Sequence, residues 1–181
     1  MEEVIVQSAT LAEMVGHSSR RRLRTLDEFI EHVHAEVSRC RRFKIRATLL
    51  LISVQECDRL SSELGEEWWE NAMSDAGKLI IGCLRESDVV CRYAIDAFAV
   101  LLPHTDLRDA PVVAQKIANR IAALPLTGKG QPVSLSLCVG ISQFPDVECQ
   151  SAMEFVKQAE AALYSAEQQG PGTIQEATSL G

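Results

Sequence analysis

The sequence predicts an α+β fold in which a central, mostly antiparallel sheet carries helices packed on it. Three observations lead there. Ala47 to Val54 is a continuous apolar run of strand length, the pattern of a central strand covered on both faces. Val89 to Tyr93 and Phe98 to Leu102 are β-branched and apolar runs that meet at a short tip, Ala94 to Ala97, and read as a hairpin. Apolar residues at helical spacing flank these strands, and the resulting order is helix, strand, helix, hairpin, helix, strand, helix, with no repeat of 20 to 50 residues.

From the N-terminus, residues 1–25 read as an extension or linker. Val4 to Val6 with Leu11, Met14 and Val15 form a short amphipathic piece, and Arg20, Arg21, Arg22 and Arg24 form a basic run of the kind that usually stays solvated. In 26–43 the residues Leu26, Phe29, Ile30, Val33 and Val37 make one helical stripe, with Asp27 and Glu28 at the start and Arg39, Arg41 and Arg42 at the end, as the helix dipole favours. A second helix follows over 66–84, with Trp68, Trp69, Met73, Ala76, Leu79, Ile80 and Cys83 recurring at helical spacing; the adjacent tryptophans place one ring inward and one near the surface.

After Pro103, Asp106 is expected to cap a helix whose inner stripe is Val112, Val113, Ile117, Ile121 and Leu124. Pro125 and the Gly128-Lys129-Gly130 loop end it. Val133 to Ser142 reads as one long strand, Ser151 to Gln168 as the last helix, and Thr173 to Ala177 as a short edge strand. Leu50, Ile52, Val100 and Leu137 are expected to be buried in neighbouring strands. The domain proper is assigned to 26–176, with a tail over 177–181.

A chain of 181 residues with 46% hydrophobic and 24% charged residues suits one domain with a substantial core. The net charge of −7 excludes a general nucleic-acid binder, which needs a basic face. The six cysteines lie singly, mostly inside apolar runs, and read as buried free thiols of a reducing compartment. His32, His34 and His104 follow no metal-ligand pattern. No stretch approaches the roughly 20 apolar residues of a membrane span, so a cytoplasmic chain without membrane contact is expected.

The hairpin frame, Arg85-Glu-Ser-Asp-Val-Val-Cys-Arg-Tyr93 and Phe98-Ala-Val-Leu-Leu-Pro103, resembles the GGDEF domain of the diguanylate cyclases, whose signature loop lies between R-x-x-D-x-x-x-R-Y and F-x-V-x-L-P. Leu49 to Gln55, Leu135 to Pro145 and Ala159 to Ala166 resemble further family motifs in the same order. The signature itself reads Ala94-Ile95-Asp96-Ala97-Phe98.

The resemblance implies a fold more firmly than an activity. In the family, two domains each hold one GTP, and two magnesium ions assist the attack of one nucleotide on the other. Magnesium requires converging oxygen ligands. The first metal aspartate of the family falls on Ser53 and the acid of the fourth signature position on Ala97, which leaves Asp96 as a vestige that reads as a turn residue. The signature glycines fall on Ala94 and Ile95. The guanine readers fall on Ser61 and Glu70, the phosphate-contacting cations on Asp58, Glu167 and Pro171, and the family's opening motif is not recognisable before Phe29. Anions in place of cations repel a triphosphate. The expectation is therefore a catalytically inactive domain with no metal and no cofactor.

Arg85 and Asp88 match the family's R-x-x-D site for cyclic di-GMP, and Lys116 falls on a further arginine of that site. A guanidinium forks onto a phosphate or a guanine edge, and a carboxylate accepts from guanine N–H groups. The bland alternative is a cation offsetting a helix C-terminus and an aspartate closing a turn. The expected function is thus a cyclic di-GMP receptor, with a ligand-independent protein-interaction or dimerisation module as the alternative, an active cyclase resting on Asp96 alone as the third reading, and a protein partner or second copy as the other binding class.

Overall fold

The computed structural model describes residues 21–146 and 149–178. The amphipathic piece expected around Val4 to Val15 lies outside them. The elements are α1 (Leu26–Phe43), β1 (Ala47–Val54), α2 (Cys57–Leu64), α3 (Glu66–Cys83), β2 (Val89–Ala94), β3 (Ala97–Pro103), α4 (Ala110–Ala122), β4 (Leu126–Gly128), β5 (Gln131–Val133), β6 (Leu137–Phe144), α5 (Ala152–Gln169) and β7 (Ile174–Glu176). Five strands form one sheet in the order β2-β3-β1-β6-β7. Its β2/β3, β3/β1 and β1/β6 pairs are antiparallel, and β7 joins β6 in parallel.

β1 lies at the centre because all eight of its residues are buried. Alternation along it divides the core. Leu50, Ile52 and Val54 face α2, α3 and α4, where they meet Trp69, Met73, Ile80, Ala114 and Ile117. Leu49 and Leu51 face α1 and α5, where they meet Phe29, Val33, Phe144 and Phe155. Leu50, Ile52, Val100 and Leu137 are buried in three adjoining strands, as expected. On the α5 side Gly140 lets helix backbone approach the sheet: a Cβ there would stand 2.2 Å from the Leu163 amide nitrogen and 2.4 Å from the Ala159 carbonyl oxygen.

Helix α1 starts on a capping box, in which the Thr25 side chain accepts from the Glu28 amide and the Glu28 carboxylate accepts from the Thr25 amide.

Five expectations require correction. Val112 does not face inward: it is 69% exposed, and the buried face of α4 is Ala110, Ala114, Ile117 and Ile121, because the helix begins only at Ala110. Asp106 does not cap α4: its carboxylate accepts from the Arg108 amide at 2.9 Å in a local turn, and the helix begins later, at Ala110, with Pro111 in its first turn. The strand expected over 133–142 is divided, because Ser134 Oγ donates to the Ala122 carbonyl and turns the chain between a small β4/β5 hairpin and β6. Gly128-Lys129-Gly130 belongs to that hairpin rather than to a loose loop. Lys129 (φ 49°) and Gly130 (φ 77°) fill the two positive-φ places of a tight turn that suits the twist of its strands. Helix α2 was not foreseen at all. Its stripe of Cys57, Leu60 and Leu64 is short, and Gly65 (φ 102°) separates it from α3.

Candidate functional site

Two places on the molecule carry chemistry, and α3 links them. Beside its N-terminal half stands the hairpin tip; just past its C-terminus is the loop of Arg85 to Asp88.

At the tip, Ala94 pairs with Ala97 and the ladder shifts register between Arg92 and Ala94. None of Ala94, Ile95, Asp96 or Ala97 takes a positive φ, so the alanine and isoleucine of this tip sit in a turn that needs no glycine. The tip is tied inward. Trp69 Nε1 donates to the Ile95 carbonyl at 3.1 Å, Arg92 Nε donates to the Ala94 carbonyl at 2.8 Å and Arg92 Nη2 to the Ile95 carbonyl. Arg92 also pairs with Glu70 at 3.2 Å and lies over the Phe98 ring, while the Val54 amide donates to the Asp96 carbonyl at 2.7 Å. The Ile95 side chain is left 66% exposed.

Between the tip and the start of α2 opens a cleft of about 360 Å³, lined by Ser53, Gln55, Glu56, Cys57, Asp58, Arg59, Asp96 and Glu167. Its charge is dominated by carboxylates. Arg59, the cation of this lining, is engaged by Glu56 at 2.9 Å and Glu63 at 3.1 Å. Burial pushes the Cys57 thiol above its ordinary value, and the Asp96 and Asp58 carboxylates push it further. Ser53 is buried, its hydroxyl accepting from Gln55 Nε2 at 3.0 Å. Ser61 is turned onto the Cys57 carbonyl.

A pair of magnesium ions does not fit here. Ser53 is neutral, Ala97 offers a buried methyl group, and among the described residues no cluster of three histidines, cysteines or carboxylates is placed to hold a metal ion. The exposed His32, His34 and His104 likewise join no such cluster.

At the other end of α3 the structure brings Arg85 and Asp88 together. The Asp88 carboxylate accepts the Arg85 amide at 2.7 Å and the Asp88 amide donates to the Arg85 carbonyl at 3.1 Å, so the four residues close on themselves as a turn. The Arg85 guanidinium touches Asp88 Oδ1 at only 3.4 Å and donates to Thr105 Oγ1 at 2.8 Å and the Pro103 carbonyl at 3.2 Å. The Arg85 side chain is 59% exposed and that of Asp88 3%. Arg85 is thus the outward half of the pair, and Asp88 braces the loop.

Lys116 joins them from α4. Helix α3 has no basic residue in its own last turn, and Lys116 Nζ reaches the Cys83 carbonyl at 3.5 Å, supplying the cation that a helix C-terminus favours. Arg120, one turn further along α4, contacts Cys83 Sγ.

The five-stranded α+β architecture is shared with catalytic signalling domains of bacteria. Its GGDEF relative from Pseudomonas aeruginosa, YfiN or TpbB, superimposes with a TM-score of 0.81 at 26% identity, covering 88% of this chain and 99% of that domain. The GGDEF domain of DgcB from Caulobacter crescentus, solved in complex with c-di-GMP, gives a TM-score of 0.80 at 14% identity and covers 88% and 92%; at that identity the likeness concerns the fold alone. In sequence, Diguanylate cyclase A of Treponema denticola is 24% identical over 127 residues, or 70% of this chain and 34% of the relative. The family model described as "Diguanylate cyclase, GGDEF domain" matches residues 23–173, and this chain belongs to that family. It spans about a third or less of the first three curated relatives it matches, 34%, 21% and 21% of their length. Among the described residues no helix is long and apolar enough to cross a membrane.

Proposed function

We infer that this GGDEF domain makes no cyclic di-GMP and instead binds it through Arg85, with Asp88 and Lys116 in support. The observation that carries the reading is the pair at the end of α3: a guanidinium more than half exposed, standing on a turn that a nearly buried carboxylate holds closed. Arg85 Nη2 is anchored on Thr105 Oγ1 and the Pro103 carbonyl, which leaves Nη1 and Nε to donate to a phosphate or to the acceptor edge of guanine. Asp88, its carboxylate nearly buried and bonded to the Arg85 amide, supports the site by holding the turn that carries Arg85. Lys116 adds a nearby point charge.

The cleft at the tip supports the inactive half of the reading. A triphosphate entering it meets Glu56, Asp58, Asp96 and Glu167, with the local arginine already paired.

Calorimetric titration with cyclic di-GMP tests the proposal. Arg85→Ala weakens binding by about 2 kcal/mol, some thirtyfold, whereas Asp96→Ala leaves it unchanged. No heat at tens of micromolar ligand, or equal losses from the two substitutions, removes the receptor reading. The rigidly held, exposed Ile95 favours a protein-docking role as the second reading, and in that case it survives.

A further inference from the structure

We propose that the basic segment Arg21 to Arg24 is a fixed wall of the Arg85 site, and that Arg21 and Arg24 bind the phosphodiester groups of the cyclic dinucleotide held there. This rests on the receptor reading of Arg85 and extends it to residues outside the R-x-x-D motif.

Arg21, Arg22, Arg24, Arg85, Glu86 and Asp88 rim one shallow crevice of about 20 Å³, floored by Ile81, Leu84 and Val90, so a dinucleotide lies across its rim rather than inside it. The segment is not a loose arm at this point. The Arg24 amide donates to the Val90 carbonyl at 2.8 Å, which docks the chain alongside β2 in a parallel bridge to Cys91. Leu23 packs against the core under α3, where the absence of a side chain at Gly77 makes room: a Cβ on Gly77 would stand 3.1 Å from Leu23 Cδ1. With the backbone anchored at Arg24 and the Leu23 side chain packed against the core, part of the ordering entropy of this segment is already lost before its side chains close on a ligand.

The three arginines are not equivalent. Arg22 is committed to α1, its guanidinium forked onto Glu28 at 2.7 and 3.1 Å, and this pairing with the Thr25 amide holds the Glu28 carboxyl down to about 2. Arg21 and Arg24 form no ion pair and no side-chain hydrogen bond among the described residues. Two guanidiniums without a hydrogen-bonded partner, of which Arg24 also lies in the field of Glu28, therefore border the crevice that Arg85 lines. In a domain of net charge −7, such a local concentration of cations suits a compact dianion with two phosphates.

Titration of the full chain with cyclic di-GMP at two salt concentrations provides the test. Replacing both residues, Arg21→Ala with Arg24→Ala, is expected to weaken binding at least about tenfold and to flatten its salt dependence, while Lys129→Ala, in the β4/β5 turn and outside the crevice, leaves both nearly unchanged. Arg21→Glu, at an exposed side chain, is expected to weaken it further and guards against a folding defect in the double variant. Wild-type binding lost on Arg85→Ala but kept, with the same salt dependence, in both arm variants overturns this inference and leaves the receptor reading standing. Absence of wild-type binding overturns both.

Discussion

Each of the six cysteines has a surrounding that sets its reactivity. Burial pushes the thiols of Cys91 and Cys149 up to about 12, and burial with the neighbouring Glu36 carboxylate does the same to Cys40. Cys57 is shifted by the same cause but is only half-buried, at the edge of the acidic cleft. Since only the thiolate attacks an alkylating agent, iodoacetamide at neutral pH is expected to modify Cys57 ahead of Cys40, Cys91 and Cys149, which react only after unfolding. Peptide mass spectrometry of the native protein checks this; early modification of Cys91 contradicts it. The site was legible at this scale to the extent that side-chain identity decides chemistry. The types of Ser53, Ala97 and Glu167, two neutral side chains and an anion, are by themselves what the proposal of inactivity rests on. The sequence did not show that Asp88 turns inward while Arg85 turns outward, because that division depends on Thr105 and Pro103, far along the chain. Nor did the isolated letters of the basic run show that Arg22 is consumed by Glu28.

Elements with a long, unbroken pattern were read correctly, and those set by a few contacts were not. The run 47–54 and the helical stripes of α1, α3 and α5 each bury enough apolar surface to dictate their own conformation. By contrast, α2 has eight residues, and the β4/β5 hairpin has three residues per strand, so packing decides them: Trp68 Nε1 donates to the Thr127 carbonyl, and Gly128 lies against Leu64. The two tryptophans divide as their adjacency requires, Trp69 fully buried and Trp68 partly so. The seam between α5 and β6 is the tightest of these contacts. Gly140→Ala sets a methyl group against helix backbone that cannot rotate away, and is expected to cost about 1–3 kcal/mol in urea unfolding, with α5 displaced. Unchanged stability would show that α5 slides freely over the sheet.

For the whole molecule, the residues on which the proposed inactivity rests are spread over several elements: Ser53 on β1, Asp58 on α2, Ala97 on β3 and Glu167 on α5. On that proposal they act together on one substrate, so their effects are not additive. With GTP and magnesium or manganese the chain is expected to yield no cyclic di-GMP, and Ser53→Asp or Ala97→Glu alone is expected to restore none. Measurable turnover that vanishes in Asp96→Asn would contradict this.

The docking of Arg24 on Val90 also bears on how the domain keeps to itself. Strand β2 is an outer strand of the sheet, and its outward backbone groups invite a strand from another molecule. One hydrogen bond from the Arg24 amide to the Val90 carbonyl occupies that row near its start, and a second copy pairing here brings its own arginines against these. The segment that borders the crevice is thus also a guard against edge-to-edge aggregation, and its removal exposes Val89 to Ala94 as a template for self-association.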